Sequence, residues 1–308
     1  MYHVRHTTTY TYTETVSISH NELRLRPRDV AQQTCLGHQL VIEPTPAGCR
    51  QDTDFFGNAV TFLTVQEPHR RFIVTADSTV QLMPAVVSES VATPAWETVP
   101  ALLRSDHSRA GLEAYQYVFD SPYVTVWPLI RRFAAVSFPK RRPLLDAVLD
   151  LTQRIYTDFT YDSKATTVST PLRDVFHARH GVCQDFAHLE IACLRALGLA
   201  ARYVSGYLVT QPPPGKPRMI GVDASHAWLS VYCPGFGWVD VDPTNNVLPS
   251  DRHITVAYGR DFGDVSPIKG VFLGGGAHRM EVAVDVLPVE PESVSPPPSR
   301  SIGVPQTQ

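Results

Sequence analysis

No stretch of this 308-residue sequence approaches the roughly 18 consecutive apolar residues of a membrane-spanning helix. The opening Met1-Tyr2-His3-Val4-Arg5-His6 also lacks the apolar middle of a signal peptide. The expectation is a protein that stays in the cytoplasm and touches no membrane. Surplus positive charge is missing too: 27 Lys and Arg stand against 30 Asp and Glu, a net charge of −3, which argues against a nucleic-acid partner. Cysteine is scarce. The five present, Cys35, Cys49, Cys183, Cys193 and Cys233, are odd in number and contain no C-x-x-C pair, so reduced thiols are expected rather than a disulfide framework or a zinc site. No EF-hand loop occurs, and His3, His6, His20 and His38 are scattered without ligand-type pairing. No metal or other cofactor is expected, and these four histidines should lie on a solvated strand face.

What the chain does contain is enough apolar residue, 43%, to bury a sizeable core, over a length that suggests about two domains. Alternation in Thr9-Tyr10-Thr11-Tyr12-Thr13 and Val16-Ser17-Ile18, with turn signals at Asn21, Pro44 to Gly48 and Phe56-Gly57-Asn58, predicts several short antiparallel strands over residues 1–86. That is the pattern of a small β sandwich or barrel. Prolines at 84, 94, 100, 122, 128 and 139 then break residues 87–142 into a connector across both domains, with helical pieces at Ala110 to Val118 and Leu129 to Phe133.

Residues 143–287 read as a second, mixed domain. Pro143 followed by apolar positions Leu144, Val148, Leu151 and Ile155 predicts an amphipathic helix. Thr170-Pro171 supplies an N-cap and first turn for a shorter one. Phe186, Ala187, Ile191, Leu194 and Leu197 recur at helical spacing with Gly198 as a C-terminal stop, so Cys183 stands at a helix start. A thiol there faces unpaired backbone N–H groups and the positive end of the helix dipole, which favours the nucleophilic thiolate.

Ala201 to Val209 is a strand, followed by a Pro-rich loop at residues 212–217 that could border a cleft. A strand then opens at His226, and another, Gly237 to Asp242, ends in a carboxylate before Pro243. After Asn246 the chain looks irregular until a last strand at Val282 to Leu287, and residues 288–308, rich in Pro, Ser and Gln, read as a disordered tail.

A lone cysteine is usually a small buried hydrophobe. Cys183 is accompanied by a histidine and an acid on successive strands, the set that cysteine acyl-transfer chemistry requires. His180 and His188 flank the thiol as rival bases. A residue five positions along the helix lies up and around its side, however, whereas a first-turn side chain points back toward the N-terminus, which disfavours His188. Asp240 and Asp242 share a strand face and are not separated by period alone.

At Gly181-Val182-Cys183-Gln184-Asp185-Phe186-Ala187-His188, Ala201 to Leu208, His226 to Tyr232 and Gly237 to Asn246, the chain resembles the transglutaminase-like superfamily. The likeness is strongest to its bacterial branch with an N-terminal β domain, and it extends from Tyr2 through Asp285. It implies an α+β fold whose papain-like core packs helices on an antiparallel sheet. It also implies Cys183 as nucleophile, His226 as general base and Asp242, rather than Asp240, as the orienting acid. In that family the segment Phe159 to Asp162 lies near the active site, so Tyr161 is a candidate to line the substrate cleft beside ordinary packing. Trp228 is a second candidate for substrate contact, against the simpler expectation of a core aromatic.

The implied activity is attack on a peptide or protein amide to form a thioester, resolved by an amine in transfer or by water in hydrolysis. A cysteine protease or amidase, or a binding module on a disabled version of the fold, are the alternatives. The last is weakened because all three positions of the triad are filled.

Overall fold

The computed structural model describes residues 1–83, 93–209 and 225–289. The Pro-rich segment at 212–217 and the expected tail from residue 290 onward lie outside the described residues. The fold is α+β.

Alternating Thr, Tyr and Val residues form β1 (Tyr2–Leu23), a 22-residue strand around which a seven-stranded antiparallel sheet curls. The sheet also contains β2 (Gln33–Glu43), β3 (Gly48–Thr53), β4 (Ala59–Val65) and β5 (His69–Leu82), in the order β2-β5-β1-β4-β3. Two strands from the far end of the chain complete it. One is β12 (Ile268–Gly274), paired with β1 from Val16 to Leu23, and the other is β13 (His278–Pro288), paired with β1 from Tyr2 to Tyr12.

This corrects two expectations. The last strand joins the N-terminal sheet rather than the second, mixed domain, and the stretch after Asn246 is not irregular, since it also holds β11 (His253–Gly259) and α7 (Phe262–Val265). Hydrophobic alternation identifies a strand but carries no address for its partner. Val4, Val80, Val284 and Val286 show the outcome, because residues of three strands distant in sequence sit together in the main core.

The proposed connector is helical: α1 (Val99–Ser105), α2 (Arg109–Tyr115) with a 3-10 turn at Gln116–Val118, and α3 (Pro128–Ala135). Prolines at the first turns of α1 and α3 begin helices there instead of breaking them, since the missing N–H has no intrahelical partner at that position. Leu103, Ala114, Ile130 and Ala134 are buried in the same core as the central helix, so this segment is part of the helical layer. Next comes α4 (Leu144–Asp158), which buries Leu144, Val148, Leu151 and Ile155, the four positions its period predicts. Beyond it lie β6 (Thr160–Tyr161), α5 (Leu172–Ala178) and β7 (His180–Gly181). The α5 helix starts one residue later than expected, with Pro171 as the cap. Thr170 does not cap it; its hydroxyl accepts from the Thr167 N–H at 2.9 Å instead.

At the centre is α6 (Cys183–Ala196), buried continuously from Asp185 to Arg195. Gly198 ends it with φ +78°, in the left-handed region that lets the Leu199 N–H return to the Leu194 carbonyl at 3.0 Å. The helix lies against an antiparallel sheet of β8 (Ala201–Leu208), β9 (Ser225–Cys233), β10 (Gly237–Val241) and β11, ordered β10-β9-β8-β11. Along β9, Ala227, Leu229 and Val231 belong to the core shared with α6, while Trp228 packs with Val204 and Tyr258 in a separate cluster.

One histidine of the first sheet departs from expectation. His6 is 2% exposed, with Nδ1 2.9 Å from the Tyr207 hydroxyl of β8 and Nε2 3.0 Å from the Thr8 hydroxyl. It joins the two sheets instead of facing solvent, and burial pushes its imidazole down to about 4.

Candidate active site

The turn into α6 is built by its own residues. The Val182 N–H donates to Asp185 Oδ2 at 2.9 Å, and the Thr166 hydroxyl donates to the same oxygen at 2.6 Å. A Cβ on Gly181 would come within 2.9 Å of that carboxylate, so glycine is what lets Asp185 fold back onto the helix start. Cys183 is therefore fixed at the first helical position, half-buried, and near enough to His226 to act on the ionisation of its imidazole.

His226 stands near the start of β9 and is 8% exposed; Asp242, one residue past β10, is fully buried. Antiparallel pairing of β10 on β9, Val241 opposite Leu229, carries the end of one strand to the beginning of the other. Asp242 Oδ2 lies 2.7 Å from His226 Nε2. Its other oxygen accepts the backbone N–H groups of Thr244 at 2.9 Å and Asn245 at 3.2 Å, so the loop after Asp242 clamps the carboxylate. Asn245 Nδ2 donates to Oδ2 at 2.7 Å, and His253 Nε2, from β11, is 3.0 Å from the same oxygen.

Burial opposes the charge on both members of this pair, and the pair overrides it. Desolvation pulls the His226 imidazole down, but the hydrogen bonds to Asp242 and Cys183 and their negative charges raise it, to about 10. Desolvation pushes Asp242 up, yet its hydrogen bonds from His226, His253 and Asn245, with the His226 charge, hold it well below the usual carboxylate range.

The two aspartates that sequence period left together are separated by their neighbours. Asp240 accepts the Trp228 indole N–H at 3.0 Å and the Ser230 hydroxyl, while Asp242 takes His226. Trp228, a candidate for substrate contact beside the simpler expectation of a core aromatic, is fully buried; it donates to Asp240 and packs edge-on against His253. Tyr161 is 54% exposed. Parallel pairing of β6 with β7, Tyr161 opposite Gly181, sets it beside the head of α6, and burial followed by the Cys183 charge raises its phenol.

The rival bases lie elsewhere. His180 is exposed with Nδ1 2.7 Å from the Ala178 carbonyl. His188 is buried between Tyr123 and Tyr203, accepts the Phe262 N–H at 3.1 Å, and is pushed down to about 3 by burial and then by Arg195. Cys193 is fully buried, with its thiol raised by burial.

Two residues escaped sequence reasoning. His253 had no motif around it and fell in a stretch read as irregular. Glu190 sits on the α6 face of Cys183, two turns on, where burial raises its carboxyl to about 8 although Thr152 donates to Oε1 at 2.8 Å. A charged residue within an apolar helical period was the available signal. Among the described residues, His226, Asp242 and His253 offer metal-type donor atoms within 4.8 Å of one another, a proximity accounted for by the two imidazole–carboxylate hydrogen bonds.

A thiol at the head of a buried helix, an imidazole on the adjoining antiparallel sheet and a buried carboxylate on the next strand define a transglutaminase-like core with a Cys-His-Asp triad. The chain belongs to the transglutaminase-like superfamily. That family matches residues 133–243, and the bacterial transglutaminase-like N-terminal region matches residues 2–81. An uncharacterised protein of Mycobacterium tuberculosis H37Rv is 44% identical over 302 residues, covering 95% of this chain and 94% of its own. A protein-glutamine gamma-glutamyltransferase of Pseudomonas aeruginosa is 37% identical over 76 residues, 24% of this chain and 11% of that protein. The crystal structure of a proposed cysteine protease from Cytophaga hutchinsonii superposes with a TM-score of 0.72 at 24% identity, over 94% of this chain and 91% of the other, and so shares the fold.

Proposed function

We propose that this protein is a cysteine enzyme that forms a thioester with a peptide or protein amide and passes the acyl group to an amine or to water. The observation that carries the reading is the continuous arrangement of Cys183, His226 and Asp242, with the imidazole Nε2 on a fully buried carboxylate. With Nε2 engaged, Nδ1 is the nitrogen left to take the Cys183 proton.

The thiolate attacks the amide carbonyl carbon, and the backbone N–H of Cys183, at the first turn of α6 with no intrahelical partner, is a donor for the developing oxyanion. Collapse of the tetrahedral intermediate breaks the C–N bond. The amine leaves with the proton held by His226, and the acyl group stays on sulfur. His226 then removes a proton from an incoming amine or water, which displaces the thiolate and restores the site. Asp242 stays ionised throughout, keeping the proton on Nε2 and stabilising the imidazolium.

Between the two fates, transfer to an amine is the leading one, supported by the local likeness to a named glutamyltransferase. Incubation with glutamine-containing peptides, with and without a primary amine, followed by mass measurement, tests it. Amine incorporation with ammonia release supports transfer. Backbone cleavage moves the protein to the proteases, and no product from any peptide, with Cys183 still reactive to iodoacetamide, removes peptide amides as the substrate class.

A further inference from the structure

Asp242 Oδ2 has two imidazoles on it, not one: His226 Nε2 at 2.7 Å and His253 Nε2 at 3.0 Å. An ionised carboxylate only accepts, so each ring must present an N–H at Nε2. For His253 that settles the tautomer. Its ring is 8% exposed, stands edge-on to Trp228 with centroids 5.2 Å apart, and leaves Nδ1 buried without a partner. Space-filling alone does not account for an imidazole here, since phenylalanine would pack edge-on to Trp228 without an unpaired buried nitrogen.

We propose that His253 is a positioning residue of the site, whose Nε2–H holds the oxygen that orients His226 and takes a share of its negative charge, so limiting how tightly His226 keeps its proton. This rests on the reading of Cys183, His226 and Asp242 as the reacting set. The groups facing the pair are Cys183 from α6, Asp242 and Asn245 from the loop after β10, His253 from β11, and Glu190 from α6, whose carboxyl is raised to about 8 by burial and, further, by the Asp242 charge. The backbone N–H groups of Thr244 and Asn245 and the Asn245 amide still hold the carboxylate when His253 is changed, so the charge freed by losing one donor falls on His226.

The test is two-bond proton–nitrogen spectroscopy of the full chain labelled on histidine, followed through pH, on the wild type, His253→Phe and His253→Gln. The wild type should show His253 protonated at Nε2. In His253→Phe, which keeps the ring and loses the N–H, the His226 imidazole should titrate at least half a unit higher. His253→Gln, whose amide nitrogen reaches the same place, should return it toward the wild-type value. Turnover, where a substrate is in hand, should fall on the order of tenfold to a hundredfold in His253→Phe, the size of one hydrogen bond to a charged group, and recover in His253→Gln. A wild-type His253 protonated at Nδ1 alone overturns the proposal, as does a folded His253→Phe in which His226 titrates unchanged or lower. If His253→Phe does not fold, the wild-type tautomer decides. These spectra need no substrate, so failure to turn over peptides leaves their outcome untouched.

Discussion

The two sheets use buried histidine in opposite ways. In the sheet around β1, buried His6 and half-buried His38 hydrogen-bond to hydroxyl groups, those of Tyr207, Thr8 and Ser78, and desolvation, joined at His38 by the Arg26 charge, drives both imidazoles down to about 4. In the four-stranded sheet, His226 is no more exposed to water than an ordinary core residue, yet its imidazole is raised because its partner is the buried carboxylate of Asp242. Desolvation penalises the charged form in both places; only a full opposite charge outweighs it. A buried histidine on a neutral partner becomes structure, and one on a carboxylate becomes a base that holds its proton.

The largest effect that tests this contrast is at the thiol the raised imidazole serves. Cys183→Ala should abolish turnover, a loss on the order of 10⁶-fold for a nucleophile of this kind, whereas Cys193→Ala, on the same helix but fully buried, should stay within about tenfold. Steady-state rates on the substrate found above, with iodoacetamide labelling mapped by mass, separate the two. Asp242→Asn comes next, at about 10⁴-fold in kcat, because the amide no longer holds the proton on the correct nitrogen.

The same change should move the pH profile. In the wild type the basic limb, where His226 loses its proton, lies well above the about 6.5 of an ordinary imidazole and toward 10; without the Asp242 charge, burial is opposed by Cys183 alone and the limb falls. A limb that stays in place in Asp242→Asn would break the comparison. Asp240→Asn should cost less than tenfold in kcat, but about 1–3 kcal/mol in stability by denaturant titration, because it disturbs the hydrogen bonds to Trp228 and Ser230 and not to His226.

The smallest effect is on the neutral side. The folded-state imidazole of His6 lies below its unfolded value, so its contribution is complete above about 6.5 and is lost as pH falls toward 4, while the unfolded chain takes up a proton that the folded one refuses. His6→Leu should therefore flatten the acid-side loss of stability by up to about 1.4 kcal/mol per pH unit. Urea unfolding from pH 7 to pH 4 checks it, and an unchanged slope would show that His6 takes up its proton in the fold.

Much of the site was legible because its chemistry is local. Cys183 at a helix start, Gly198 as the stop and the apolar face of α4 follow from the 3.6-residue period and from glycine's freedom at positive φ. The choice between Asp240 and Asp242 was not local. Two residues apart at the end of β10, they differ in what the fold brings to them, Ser230 and Trp228 to one and His226, His253 and the loop after β10 to the other. Trp228 was open for the same reason, since an aromatic ring two residues from His226 reads alike whether it lines a cleft or fills the space beneath a carboxylate.

By itself the sequence determined the elements: which runs alternate, where α6 begins and ends, and which thiol, imidazole and acids were available. Tertiary structure alone decided the assembly. It carried β12 and β13 back to opposite halves of β1, buried His6 between two sheets, and brought His253 to the oxygen that already held His226. The physical reason is range. Period, capping and turn chemistry act over a few residues, whereas strand pairing and the charge of a buried carboxylate depend on groups tens to hundreds of positions apart, whose proximity exists only once the chain has closed.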